Sequence, residues 1–91
     1  MTIWQADFYP LSDSRSHTPI WELLVCDANG QILISAQCPQ AEARASWITE
    51  QLKPAITESQ PQEIQIFRPQ ALGLITQGAQ PLSISVRATR R

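Results

Sequence analysis

The stretch PIWELLVCDANGQILISAQ, residues 19–37, places two apolar runs on either side of a four-residue DANG turn. Asn29-Gly30 supplies the positive φ that a tight hairpin needs, and β-branched and aromatic residues flank it. The spacing predicts an antiparallel pair, strand two over residues 19–27 and strand three over residues 31–37. Strand two is almost continuously apolar, the pattern of an interior strand covered on both faces. Upstream, Trp4, Ala6 and Phe8 alternate with Gln5, Asp7 and Tyr9. That period of two predicts strand one over residues 2–9. The polar run SDSRSHTP joins it to strand two.

Downstream the period changes. Pro39 suits a first helical position, Glu42 favours the positive end of a helix, and Ala41, Ala45, Ile48 and Leu52 recur at steps of four and three. A helix over residues 39–52 follows. Pro54 and Pro61 punctuate the way to a short strand four, EIQIF at 63–67. Pro69 then opens a second helix, PQALGLITQ, which Gly78 closes, and LSISVR at 82–87 alternates again as strand five. The order βββαβαβ is that of an α/β domain with a mixed five-stranded sheet, strand order 3-2-1-4-5, two helices packed on its faces, and a ribonuclease H-like architecture. A right-handed crossover is compatible with this arrangement and disfavours its mirror. A ferredoxin-like sandwich would need a helix between the first two strands.

A chain of 91 residues is one domain's worth and has room for one modest core. Its composition, 43% hydrophobic and 16% charged, is globular, and no apolar run approaches a membrane span. The N-terminus MTIWQADFYP lacks the basic start and apolar run of a secretory signal, so a cytoplasmic or stromal location is expected. Cys26 and Cys38, without histidine neighbours, read as two ordinary thiols of a reducing compartment. The net charge of -1 argues against a strongly basic nucleic-acid binder, but the charge is unevenly distributed. Residues 1–63 carry all eight acids against Arg15, Arg44 and Lys53, whereas residues 64–91 carry Arg68, Arg87, Arg90 and Arg91 and no acid. Arginine suits bidentate phosphate contact and base stacking.

Ribonuclease H chemistry needs carboxylates on strand one, the first helix and the end of strand four to hold two metal ions. Asp7 and Glu42 satisfy the first two places, but the third reads IFRPQ, with Arg68 where an acid is required. A cation there repels metals, and neither a metal site nor hydrolysis is expected. Asp7 and Asp27, at the ends of neighbouring strands, are a weak acid pair without a visible reason for a raised pKa. Gly30, Gly73 and Gly78 are too scattered for a phosphate loop, and His17, the lone histidine, falls in a polar connection. No cofactor is implied. Trp4, Phe8, Trp21 and Phe67 on strands and Trp47 on the first helix read as core. Tyr9 shares the polar face of strand one with Asp7, where it can stack on an unpaired base.

The strings WQADFY, PIWELLVCD, CPQAEARAS, EIQIFRPQ and TRR, in this order and spacing, resemble the N-terminal domain of the Tab/Atab family from residue 3 to residue 91. WELLVCD and FRPQ are the strongest of them. The resemblance implies a non-catalytic RNA-binding domain of a chloroplast or cyanobacterial translation activator that supports photosystem I, and also photosystem II, biogenesis. It also implies a longer two-domain protein of which these residues form the N-terminal half. The family's recurring polar positions map onto Asp7, Tyr9, Glu22, Asp27, Glu42, Arg68, Gln70, Arg90 and Arg91. Arg44, Ala45 and Pro69 depart from residues that relatives often carry. For RNA contact the expected set is Tyr9, Arg68, Gln70, Arg90 and Arg91, the partner being single-stranded leader regions of photosystem messages. Two alternatives stay open. Arg68 pairs with Glu63 or another local acid, or the domain is a protein-interaction module whose RNA contacts lie in a C-terminal domain.

Overall fold

The computed structural model describes residues 2–11 and 19–89. Five strands, β1 (Ile3–Leu11), β2 (Ile20–Cys26), β3 (Ile32–Pro39), β4 (Glu63–Ile66) and β5 (Ser85–Ala88), form one sheet in the order β3-β2-β1-β4-β5. The first three are antiparallel, while β4 runs parallel to β1 and to β5. Two helices, α1 (Ala45–Glu58) and α2 (Pro69–Ala79), make the crossovers. This is the ribonuclease H-like arrangement that the element order predicts. No described helix is long and apolar enough to cross a membrane.

Both helices pack on the same face of the sheet. Trp4, Ala6 and Phe8 of β1, Leu23 and Val25 of β2, and Ile64 and Ile66 of β4 form one buried cluster with Ile48 and Leu52 of α1 and Ala71, Ile75 and Ala79 of α2. The expectation of a β2 covered on both faces is therefore corrected. Its odd-numbered residues from Trp21 to Val25 face the helices, and Leu24 and Cys26 lie half-buried on a face that no described element covers.

The helix boundaries also differ from the sequence reading, and the causes are non-local. Pro39 ends a strand instead of opening a helix: it pairs with Ile20, and the Gln40 N–H donates to Pro19 O at 3.1 Å. β3 is an edge strand, where a missing N–H is tolerated. A 3-10 turn over Gln40–Glu42 and an extended Arg44 intervene before α1. At its other end α1 runs through Pro54 to Glu58. A proline costs a helix interior about 3 kcal/mol, but Ala55 and Ile56 beyond it pack against the core. β5 starts late because Gln80–Leu82 turn as a 3-10 helix and Ser83 takes a left-handed φ of 59°.

The DANG turn forms as read. Gly30 has φ 83°, and the Asp27 carboxylate accepts the N–H groups of Asn29 and Gln31, each at 2.9 Å. Asp27 is thus committed to the hairpin. Cys26 and Cys38 are free thiols, and burial, followed by the charge of Glu42, pushes the Cys38 thiol up.

Candidate functional site

Parallel pairing of β1 with β4 brings their carboxyl ends to one edge of the sheet, where crevices form in folds of this kind. The residue before a proline is held extended. Arg68, preceding Pro69, has φ -93° and ψ 120°, and this geometry turns the chain from β4 into α2. Its guanidinium reaches back over β1. Nε lies 3.0 Å from Asp7 Oδ2, and Cζ stands 5.1 Å from the centre of the Tyr9 ring. Phe8, Tyr9, Pro10, Trp21, Arg68, Gln70 and Leu74 line an open cleft of about 600 Å³ at this edge. Its floor is aromatic: the Phe8 ring centre is 5.1 Å from that of Trp21 and 5.9 Å from that of Trp47.

A polar row crosses three strands beside the cleft. Tyr9 is opposite Glu22, and Glu22 is opposite Gln37. The Tyr9 hydroxyl donates to Glu22 Oε1, and Gln37 Nε2 donates to Oε2 at 3.2 Å. The bond to Glu22 raises the Tyr9 phenol above its ordinary value of 10.0, with burial and the charges of Glu22 and Asp7 adding to it and Arg68 opposing. The same bond, then that from Gln37, lowers the Glu22 carboxyl below its ordinary 4.5. The signs define a window. Glu22's contribution to stability is complete above pH 4.5 and fades as pH falls through its lowered folded value. Tyr9's is complete below pH 10.0 and fades as pH rises through its raised one. Tyr9→Phe should therefore destabilise the domain modestly between those limits and progressively less beyond either, as denaturant melts across pH would record.

Three of the five expected contact residues, Tyr9, Arg68 and Gln70, meet in this cleft. Arg90 and Arg91 lie outside the described residues. The last described residue, Thr89, donates its N–H to Ile66 O at 2.9 Å, two positions before Arg68. Arg68 pairs with Asp7 and not with Glu63, which faces Arg87 at 3.9 Å and accepts from Gln65 at 2.9 Å. Glu42 sits apart in the 3-10 turn, in an open groove with Arg44, Ser46, Trp47 and Glu50. The reading of the strand aromatics as core fails for Phe67, which is 44% exposed. Trp21, Pro10 and Leu74 complete the cleft but carry no signal of it in the sequence.

The family model for the N-terminal part of the RNA-binding protein Tab2/Atab2 matches residues 3–91. The chain belongs to this family. No curated protein matches this chain. Among solved structures it is similar to the catalytic core domain of HTLV-2 integrase in complex with magnesium, at 13% identity over 96% of this chain and 58% of that one, with a TM-score of 0.60. It is also similar to the N-terminal ribonuclease H domain of Rv2228c from Mycobacterium tuberculosis, at 12% identity over 100% of this chain and 81% of that one, TM-score 0.53. A chain of the simian T-cell lymphotropic virus intasome complex with PP2A regulatory subunit B56 gamma is 18% identical over 98% of this chain, TM-score 0.58. The chain spans 33% of that intasome chain and 58% of the integrase core. At these identities the likeness concerns the fold: a ribonuclease H-like sheet in an RNA-binding family.

Among the described residues, the acids of this chain do not fit the metal chemistry associated with that architecture. Asp7, the β1 carboxylate, is engaged by the Arg68 guanidinium. Among the described residues, no three His, Cys, Asp or Glu side chains are grouped to hold a metal ion.

Proposed function

We propose that this domain holds single-stranded RNA without cleaving it, gripping the strand in the cleft between the end of β1 and the start of α2. The carrying observation is Arg68, whose guanidinium stands over the Tyr9 ring at the mouth of that cleft. No side chain caps the start of α2, so its positive end adds to the attraction for a phosphate. Gln70, in the first turn, offers an amide to sugar or base, and Tyr9 offers a ring face. Arg90 and Arg91 extend the same contact.

Within the family's role, the RNA is the leader of photosystem I and photosystem II messages, bound in the cyanobacterial cytoplasm or chloroplast stroma to activate translation. The domain acts there as the N-terminal half of a longer protein. Hydrolysis has no place in this reading, because the cation beside Asp7 stands where a second metal-binding acid would be needed. Asp7→Asn should leave RNA–DNA hybrids as intact as the wild type does in Mg²⁺ or Mn²⁺.

Binding at several salt concentrations tests the grip. Two or three arginine contacts to a single strand give a log–log salt slope of about -1.5 to -2, and Arg68→Ala should flatten it by about 0.7. A second reading draws on the ion pairs: Arg68 and Arg87 are both matched with acids of the domain itself. On that reading this is a protein-interaction module, and Arg68→Ala together with Arg90→Ala/Arg91→Ala would change neither affinity nor slope.

A further inference from the structure

The segment that positions Arg68 also presents a ring that the core does not use. Ile64 and Ile66 are buried, and Glu63, Gln65 and Phe67 alternate with them, so Phe67 turns to the uncovered face of the sheet. It is the one exposed aromatic side chain among the described residues. With Gln5, Ala6, Asp7, Leu24 and Cys26 it lines a hollow of about 160 Å³. The floor, Leu24 and Cys26, is apolar, while the rim holds the Gln5 amide and the Asp7 carboxylate. Asp7 is also the partner of Arg68, so a single ion pair joins this hollow to the cleft beyond Tyr9.

We propose that the hollow seats one unpaired base of the bound RNA, stacked on Phe67 with Gln5 at its polar edge. This rests on the reading of the domain as a holder of single-stranded RNA. The chemistry selects a base over the other parts of a nucleotide. The hollow's own lining holds no cation for a phosphate, whereas the Arg68 guanidinium stands beyond Asp7 at its rim, which keeps the backbone at Arg68 and leaves the base to turn inward. A base has the flat apolar face that an exposed ring accepts, and stacking tolerates any base because each has a π-face. The Gln5 amide both donates and accepts, so it can meet the edge of a purine or a pyrimidine. The floor strands are interior to the sheet, which gives the hollow a fixed shape before RNA arrives.

The test is titration of a fluorescent single-stranded RNA of mixed sequence, and of the same strand made without bases, against wild type, Phe67→Ala, Phe67→Trp and Arg68→Ala. Circular dichroism confirms that each variant is folded, as an exposed position permits. Phe67→Ala should weaken binding by about five-fold or more at every salt concentration, with the salt slope unchanged. Phe67→Trp should retain the wild-type affinity, and the baseless strand should bind wild type and Phe67→Ala alike. A loss smaller than about five-fold, a changed slope, or an equal loss on the baseless strand overturns the proposal. If Arg68→Ala flattens the slope while Phe67→Ala is silent, the hollow alone fails and its face falls to another partner. If Arg68→Ala is silent as well, the failure lies with the RNA reading beneath it.

Discussion

Phe8→Ala should destabilise the domain by about 3–5 kcal/mol, the usual range for removing a buried aromatic ring. The expected fall in thermal midpoint is roughly 12 °C or more for a domain of this size. Phe8 belongs both to the core and to the cleft. It is buried beneath the helices, its ring tilts against Trp21 and Trp47, and it lines the floor of the cleft below Tyr9. Aromatic pairs of this kind add about 0.5–1.5 kcal/mol each beyond their buried area, so the loss should fall toward the upper end. Thermal melts followed by circular dichroism read it directly. A shift of only a few degrees would mean that the floor of the cleft is not part of the core.

Opposite outcomes are expected from the same substitution at two glycines of α2. A Cβ built on Gly78 would lie 2.7 Å from Ile48 Cγ2, 2.8 Å from Ile48 Cβ and 3.0 Å from Ala45 O, whereas one on Gly73 meets nothing within 4 Å. The contacts at Gly78 include backbone and the stem of a buried β-branched side chain, neither of which can swing aside. Thr49 Oγ1 also lies 2.6 Å from Gly78 O, tying α1 to α2 at this crossing. Gly78→Ala should cost about 1–2 kcal/mol, the overpacking penalty reduced by alanine's better helix propensity. Gly73→Ala should stabilise by about 0.5–1 kcal/mol, since only the propensity changes. Denaturant midpoints of the two variants measured side by side decide it. The same sign at both positions would contradict the crossing geometry.

Much of the fold was legible because its signals are local. Alternation in β1, the Asn-Gly turn and the order of elements were enough to place the sheet. Where the reading failed, a distant contact overruled a local preference. Pro39 carries a good helix-start signal, yet pairing with Ile20 keeps it in an edge strand. Pro54 reads as a stop, yet packing of Ala55 and Ile56 carries α1 past it.

The site was legible in part. Arg68 stood out because it replaces an acid, but its partner depends on the parallel register that sets Ala6 beside Ile66 and so brings Asp7 level with the end of β4. Sequence spacing points to Glu63 as readily. Phe67 is the instructive miss. Its hydrophobic character says core, whereas its parity with Glu63 and Gln65 says the open face, and parity was the better guide.

If RNA is held as proposed, the single strand lies at the carboxyl end of β1 and the start of α2. Titrating ¹⁵N-labelled protein with a short single-stranded RNA and following backbone amide shifts tests it most directly. The largest shifts are expected on Tyr9, Arg68, Gln70 and the first turn of α2, with Trp21 indole N–H following them. Shifts confined to β3, to the far end of α1 or to the Asp27–Gly30 turn would contradict it.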